Sequence, residues 1–156
     1  GKRFIDADLN RMFRAERGSL AGTFEAGRAD VLVDATRAFF DGAGPQRWHL
    51  DLHTAIRPSH YPMFAIVPEL IARAQRDELI AWLGEAGIQA IIMNPESAGT
   101  YSYFTSEHLG AAGSTVELGK VGVLGQNDLS QFAAASRALD RLLRGAPAQP
   151  AASAPH

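Results

Sequence analysis

The sequence predicts an α/β protein built as a layered sheet with flanking helices, and three observations carry that prediction. Short apolar or β-branched runs alternate along the chain with longer segments of helical spacing, the order that stacks strands and covering helices into layers. Glycine and proline fall between these runs, where they punctuate rather than interrupt. At 156 residues the chain fits one domain that can bury a sizeable core.

Taken in order, Asn10 to Gly27 is mixed and bears Gly18, Gly22 and Gly27, so it reads as a long surface loop. From Ala29 to Phe40, apolar Val31, Leu32, Ala35, Ala38 and Phe39 recur near helical spacing, and Gly42, Gly44 and Pro45 stop that helix. Trp48 to Leu52 is a short strand, and Met63 to Val67 is a second, closed by Pro68. Leu70, Ile71, Ala74, Ile80, Leu83 and Ala86 suit one helix or two short ones ending at Gly87. Gln89 to Met93 is β-branched and bounded by Asn94-Pro95, which predicts a buried strand, and Ser114 to Leu118 is a further one. Between them, Tyr101, Tyr103 and Phe104 suit an edge strand better than a pocket wall, and His108 falls in a short helix.

The last helix is expected from Asp128, where Gln131 three residues on makes a capping-box pattern. Leu129, Phe132, Ala133, Leu139, Leu142 and Leu143 line its apolar face, and Gly145 ends it. Residues 146–156 hold only alanine, proline, glutamine, serine and one histidine, a composition that reads as a linker or disordered tail. The folded domain is thus expected over residues 1–145. A linker implies something to link, so a further domain is expected to follow it. The chain opens on Gly1 without methionine, close before a motif, and an N-terminal portion is expected to have been removed.

Bulk properties exclude several functions. The net charge of -2, with signs interspersed, lacks the basic stripe of a nucleic-acid footprint. There is no cysteine, hence no disulfide framework, thiolate zinc site or cysteine nucleophile. No stretch has the roughly eighteen apolar residues of a membrane span, and no basic-then-apolar leader opens the chain. A cytoplasmic protein without nucleic-acid or membrane partners is the expectation; nothing in the sequence sets an oligomeric state.

Chemistry concentrates in a few segments. His53 closes Asp51-Leu52-His53 at the end of an apolar run, where open α/β sheets place their ligands. Imidazole is the commonest metal ligand, and Asp51 would be its supporting acid if the strand continues far enough to keep both on one face. Alone, however, a half-buried hydrogen-bonded histidine is the commoner state, because a catalytic zinc wants three protein ligands. His49, His60, His108 and His156 supply no obvious partners. Asn10 and Arg11, with Arg3 nearby, read as a clamp for carboxylates, since the guanidinium fork matches a carboxylate's two oxygens. A salt-bridge network with Asp6 and Asp8 is the alternative. Arg57 is a third cation near the same mouth, or merely solvated. Glu117, between Val116 and Leu118, must be paired, protonated or working as an acid/base. The glycines from Gly119 to Gly125 lack the following Lys-Ser/Thr of a phosphate loop, and no serine sits in a nucleophile elbow.

Three stretches in order then resemble the succinylglutamate desuccinylase/aspartoacylase family of zinc-dependent amidohydrolases. They are Asp8-Leu9-Asn10-Arg11-Met12-Phe13, Arg47 to Arg57, and Glu117-Leu118-Gly119-Lys120 continuing to Gly125-Gln126-Asn127-Asp128-Leu129. The resemblance implies a carboxypeptidase-like fold, incomplete here on its N-terminal side. It implies that His53 is the third ligand of one zinc ion and Glu117 the catalytic glutamate. Asn10 and Arg11 would bind the substrate's amino-acid carboxylate, and Arg3 would help polarise the scissile carbonyl. The family's other two zinc ligands come from an upstream His-x-x-Glu, absent here, so the chain by itself is expected to be inactive. The implied reaction is hydrolysis of the amide of N-succinylglutamate, a dicarboxylate-type small molecule, in arginine catabolism. The alternatives are a related N-acyl-amino-acid deacylase of aspartoacylase type and a non-catalytic carboxylate-binding fragment. No role passes to the segment from Thr100 to His108.

Overall fold

A computed structural model describes residues 4–151 and 155–156. Its centre is a four-stranded sheet made of β1 (Trp48–Ala55), β2 (Met63–Pro68), β3 (Ala90–Asn94) and β4 (Ala112–Lys120), in the order β1-β4-β2-β3. β1 runs parallel to β4 and β2 parallel to β3, while β2 and β4 are antiparallel. The helices are α1 (Phe24–Asp41), α2 (Arg73–Glu85), α3 (Tyr101–Leu109) and α4 (Ala133–Leu143), so the predicted α/β layering is what the chain adopts.

One face of the sheet is buried beneath α2 and α4. Ala65, Val67 and Val116 from the strands pack there with Leu79, Trp82 and Leu83 of α2 and Ala135 and Ala138 of α4. The Trp82 indole donates to the carbonyl of Ala138 at 3.1 Å, which ties the two helices together and satisfies a buried donor. Because strand side chains alternate, the other face carries Asp51, His53, Thr115, Glu117, Phe64, Ile66 and Ile92. On that face a second cluster gathers Met12, Phe13, Ala26, Ala29 and Val33, with Tyr101 and Phe104 against it.

Several expectations need correction. The segment from Asn10 to Gly27 is not one loop: single turns of 3-10 helix stand at Leu9–Arg11 and Gly18–Leu20, and α1 starts at Phe24. The early start has a local cause, since the Thr23 side chain accepts from the Ala26 amide as an N-cap. The buried stripe of α1 is Ala26, Ala29 and Val33, whereas Val31 and Phe39 are exposed. Tyr101, Tyr103 and Phe104 lie on α3 rather than on an edge strand. Gly113 explains how α3 fits: a Cβ there would stand 2.4 Å from the Ser102 carbonyl oxygen, so only glycine permits this approach. The Ser106 hydroxyl accepts from the Gly113 amide at 3.1 Å across the same contact.

Asp128 caps a 3-10 turn (Leu129–Phe132) by accepting from Ser130, not from Gln131, and α4 proper begins only at Ala133. Leu129 and Leu143 are exposed rather than on the packed face. The described residues of the Ala/Pro-rich tail run along the molecule. The Gln149 amide donates to Glu85 at 2.7 Å, and His156 exchanges backbone hydrogen bonds with Gln89 and Ile91 at the outer edge of β3. No helix among the described residues is long and apolar enough to cross a membrane.

Candidate active site

β1 continues to Ala55, three residues past its expected end, and that extension builds the site. It keeps residues 49, 51 and 53 on one face, and the Asp51 Oδ1 lies 3.0 Å from the His53 Nε2. On the neighbouring strand Glu117 is the register partner of His53, and Thr115 is that of Asp51. Across the antiparallel ladder Phe64 pairs with Glu117 and Ile66 with Thr115. Two rows therefore cross the sheet, His53–Glu117–Phe64 and Asp51–Thr115–Ile66, each passing from polar to apolar.

A cleft of 880 Å³ opens on these rows, and His53, Glu117, Asn10, Arg11 and Arg57 all line it. The structure thus brings together Asn10, Arg11, His53, Arg57 and Glu117 from segments more than a hundred positions apart. Arg3 lies outside the described residues. Glu117 and His53 are half-buried, accessible to a ligand from the cleft yet flanked by packed strand.

Asn10 is positioned by α3. The Asn10 side-chain oxygen accepts from the Tyr101 amide at 2.8 Å, which leaves the amide nitrogen as the group to donate toward a bound acid. The Phe13 ring stacks on Tyr101 at 4.2 Å between centroids, and the Phe13 amide donates to Gly99 at 3.1 Å. On the other side, the Glu25 carboxylate accepts from the amides of Ile5, Asp6 and Ala7. Burial would raise the Glu25 pKa, but these three donors together hold it below the usual carboxylate value. The segment from Ile5 to Phe13 is accordingly fixed at both ends, by α1 and by α3.

Beneath it, His49 is packed edge-on against Tyr101 with centroids 4.5 Å apart, and its Nδ1 is 2.7 Å from the Thr105 hydroxyl. Burial lowers the His49 pKa, opposed by the charge of Asp51. The Ser102 and Thr115 hydroxyls bond at 2.9 Å, joining α3 to the row that holds Asp51. These contacts were invisible in the sequence because a short helix was expected only at His108, whereas α3 starts at Tyr101. The one available signal was Gly110 after a polar-aromatic stretch, the usual stop of a helix, and it does adopt φ 66°.

As a metal centre the described residues are incomplete. His53 has what a metal-binding imidazole needs, a carboxylate on its far nitrogen. Among the described residues no group of three or more His, Cys, Asp or Glu side chains is placed to hold an ion.

Comparison with known proteins gives consistent results. A family model described as the succinylglutamate desuccinylase/aspartoacylase catalytic domain matches residues 1–143. The succinylglutamate desuccinylase of Burkholderia cenocepacia is 44% identical over 158 residues, covering 100% of this chain and 45% of that protein. That of Serratia proteamaculans is 44% identical over 147 residues, covering 94% of this chain and 45% of its own length. The chain thus spans about half the length of the curated relatives it matches. The crystal structure of the Chromobacterium violaceum succinylglutamate desuccinylase superposes with a TM-score of 0.86 at 38% identity, over 96% of this chain and 50% of that one. A metallo-carboxypeptidase from Burkholderia cenocepacia superposes at a TM-score of 0.60 and 16% identity, covering 89% of this chain and 38% of that one, a likeness of fold alone.

Proposed function

The chain belongs to the succinylglutamate desuccinylase/aspartoacylase catalytic family, and from that premise we propose that it carries the acid/base and carboxylate-binding part of a hydrolase for N-succinylglutamate. The observation that carries the reading is the lateral pairing of His53 with Glu117 in a cleft that Asn10 and Arg11 also line. Residues 1–145 form the catalytic part and 146–156 the segment beyond it. The reaction yields succinate and glutamate, a step suited to arginine catabolism in the cytoplasm.

In this reading Asn10 donates and Arg11 pairs with the carboxylate of the amino-acid half, anchoring the scissile amide over the His53–Glu117 row. Glu117 takes a proton from the attacking water and returns it to the leaving nitrogen. Arg3 balances charge developing on the carbonyl oxygen. Arg57 is a further cation of the binding cleft. His53 is one ligand of a single zinc ion, its remaining donors not among the described residues. Such an ion, when bound, makes its water acidic enough to be a nucleophile near neutral pH.

An aspartoacylase-type deacylase acting on another N-acyl amino acid is the second reading, since the family model spans both activities. The test is direct: the complete protein is incubated with N-succinylglutamate and with N-acetylaspartate, and free amino acid is measured. Release from the succinyl substrate at least tenfold faster supports the proposal. Faster release from N-acetylaspartate favours the second reading, and release from neither ends both.

A further inference from the structure

The cleft has a long axis along β1, and the order of groups on that axis assigns a role to Arg57. At its near end Asn10 is bonded to the start of α3, whose Tyr101 ring packs on His49. Asn10 also shares a smaller cavity with Asp51 and His53. Asn10 therefore stands beside the stretch of β1 from Asp51 to His53, before the strand's end. From His49 to His53 the strand advances about 13 Å, at roughly 3.3 Å per residue. His53 and Glu117 stand at the middle of the axis. Beyond them β1 ends at Ala55, and the following loop turns over the cleft, with Ala55, Ile56, Arg57, Pro58 and Ser59 all lining it.

Arg57 is exposed and makes no hydrogen bond or ion pair with a described residue. An arginine at a cleft wall with no carboxylate partner among the described residues offers its fork to a ligand. Proline at position 58 fixes the backbone immediately after it and restricts the Arg57 backbone to extended conformations.

We infer that Arg57 is the specificity-determining cation for the acyl half of the substrate, pairing with a carboxylate at the far end of the acyl chain. This rests on the hydrolase reading and deepens it. A ligand whose amino-acid carboxylate lies on Asn10 and Arg11, with its amide over His53 and Glu117, extends its acyl chain toward the loop that leaves β1. Acyl groups ending in a carboxylate are favoured there, and neutral ones of equal length are not.

The experiment compares N-succinylglutamate with N-butyrylglutamate, in which a methyl group replaces the acyl carboxylate, using the complete protein and its Arg57→Met and Arg57→Lys variants. A charge-assisted hydrogen bond of this kind corresponds to about 10- to 100-fold in kcat/KM. The unaltered protein is expected to favour the succinyl substrate, Arg57→Met to lose at least tenfold of that preference, and Arg57→Lys to keep part of it. Equal loss on both substrates by Arg57→Met, or an unchanged preference, overturns the assignment. So does a loss confined to the contrast between N-succinylglutamate and N-succinylnorvaline, which would place Arg57 on the amino-acid side chain. If the unaltered protein hydrolyses neither acyl substrate, the hydrolase reading and this inference fall together.

Discussion

His53 and Glu117 are direct register partners on parallel strands β1 and β4, with their side chains on the same face of the sheet. No loop stands between them, so their relative placement is as rigid as the strand pairing itself. A carboxylate fixed beside an imidazole in this way needs no conformational change to share a water with it.

Replacing Glu117 by glutamine in the complete protein preserves size and removes the proton acceptor. Turnover of N-succinylglutamate should fall by about 10²- to 10⁴-fold. Any zinc content, measured by plasma emission on the dialysed protein, should stay within error of that of the unaltered protein. Activity retained within tenfold would remove Glu117 from the role of base.

Asp51 bonds the His53 Nε2 at 3.0 Å, the kind of carboxylate support that orients a metal-binding imidazole. Asp51→Ala should weaken zinc binding by about 10- to 100-fold, read from competition with a chromogenic chelator. Asp51→Asn keeps an acceptor but loses the charge, and its affinity should fall between the two. Unaltered affinity in both variants would mean that this bond serves packing alone.

Much of this arrangement was legible in the sequence, and the parts that were not share a cause. Strands announced themselves because β-branched runs such as Ile91-Ile92 are bounded by breakers, and all four were placed to within three residues of each end. His53 and Glu117 stood out because polar groups at the ends of apolar runs are costly without a purpose, and Asn10 and Arg11 because a guanidinium fork beside an amide suits a carboxylate. A short helix was expected at His108, but the first part of α3 was misread as an edge strand because Ser102, Thr105 and Ser106 on its buried side carry no hydrophobic period. Those hydroxyls are satisfied by Thr115, His49 and Gly113, partners that only the tertiary fold supplies. The α1 stripe was misplaced for a related reason: small Ala26 and Ala29 pack under Met12 and Phe13, while larger Val31 and Phe39 face outward.

The seam between α3 and β4 should be intolerant of any side chain at Gly113. A methyl group there would meet the Ser102 carbonyl oxygen and the Ser106 hydroxyl, each at 2.4 Å. Backbone cannot swing aside as a flexible side chain can, so Gly113→Ala should cost about 1–3 kcal/mol, measured by urea denaturation. Because Gly113 lies four residues before Glu117 on the same strand, the variant should also lose activity under conditions where it remains folded. An unchanged denaturation midpoint would show that α3 can shift without penalty.

His49 gives the fold a dependence on pH near neutrality. Burial lowers its pKa, and the partial opposition of Asp51 does not cancel that effect. In the unfolded chain a histidine takes up its proton at about pH 6.5. Between that value and the lower folded value the unfolded state binds more protons, so stability rises with pH across this window. The contribution is complete above about 6.5, is lost as pH falls toward the folded value, and changes no further below it. Replacing His49 by glutamine, which can still bond the Thr105 hydroxyl, should flatten this limb of the stability profile. The measurement is a series of urea midpoints between about pH 5 and 8 for both proteins, covering the range where imidazole titrates. If the unaltered protein and the variant lose stability in parallel as the pH falls, the dependence belongs to other groups and His49 is silent.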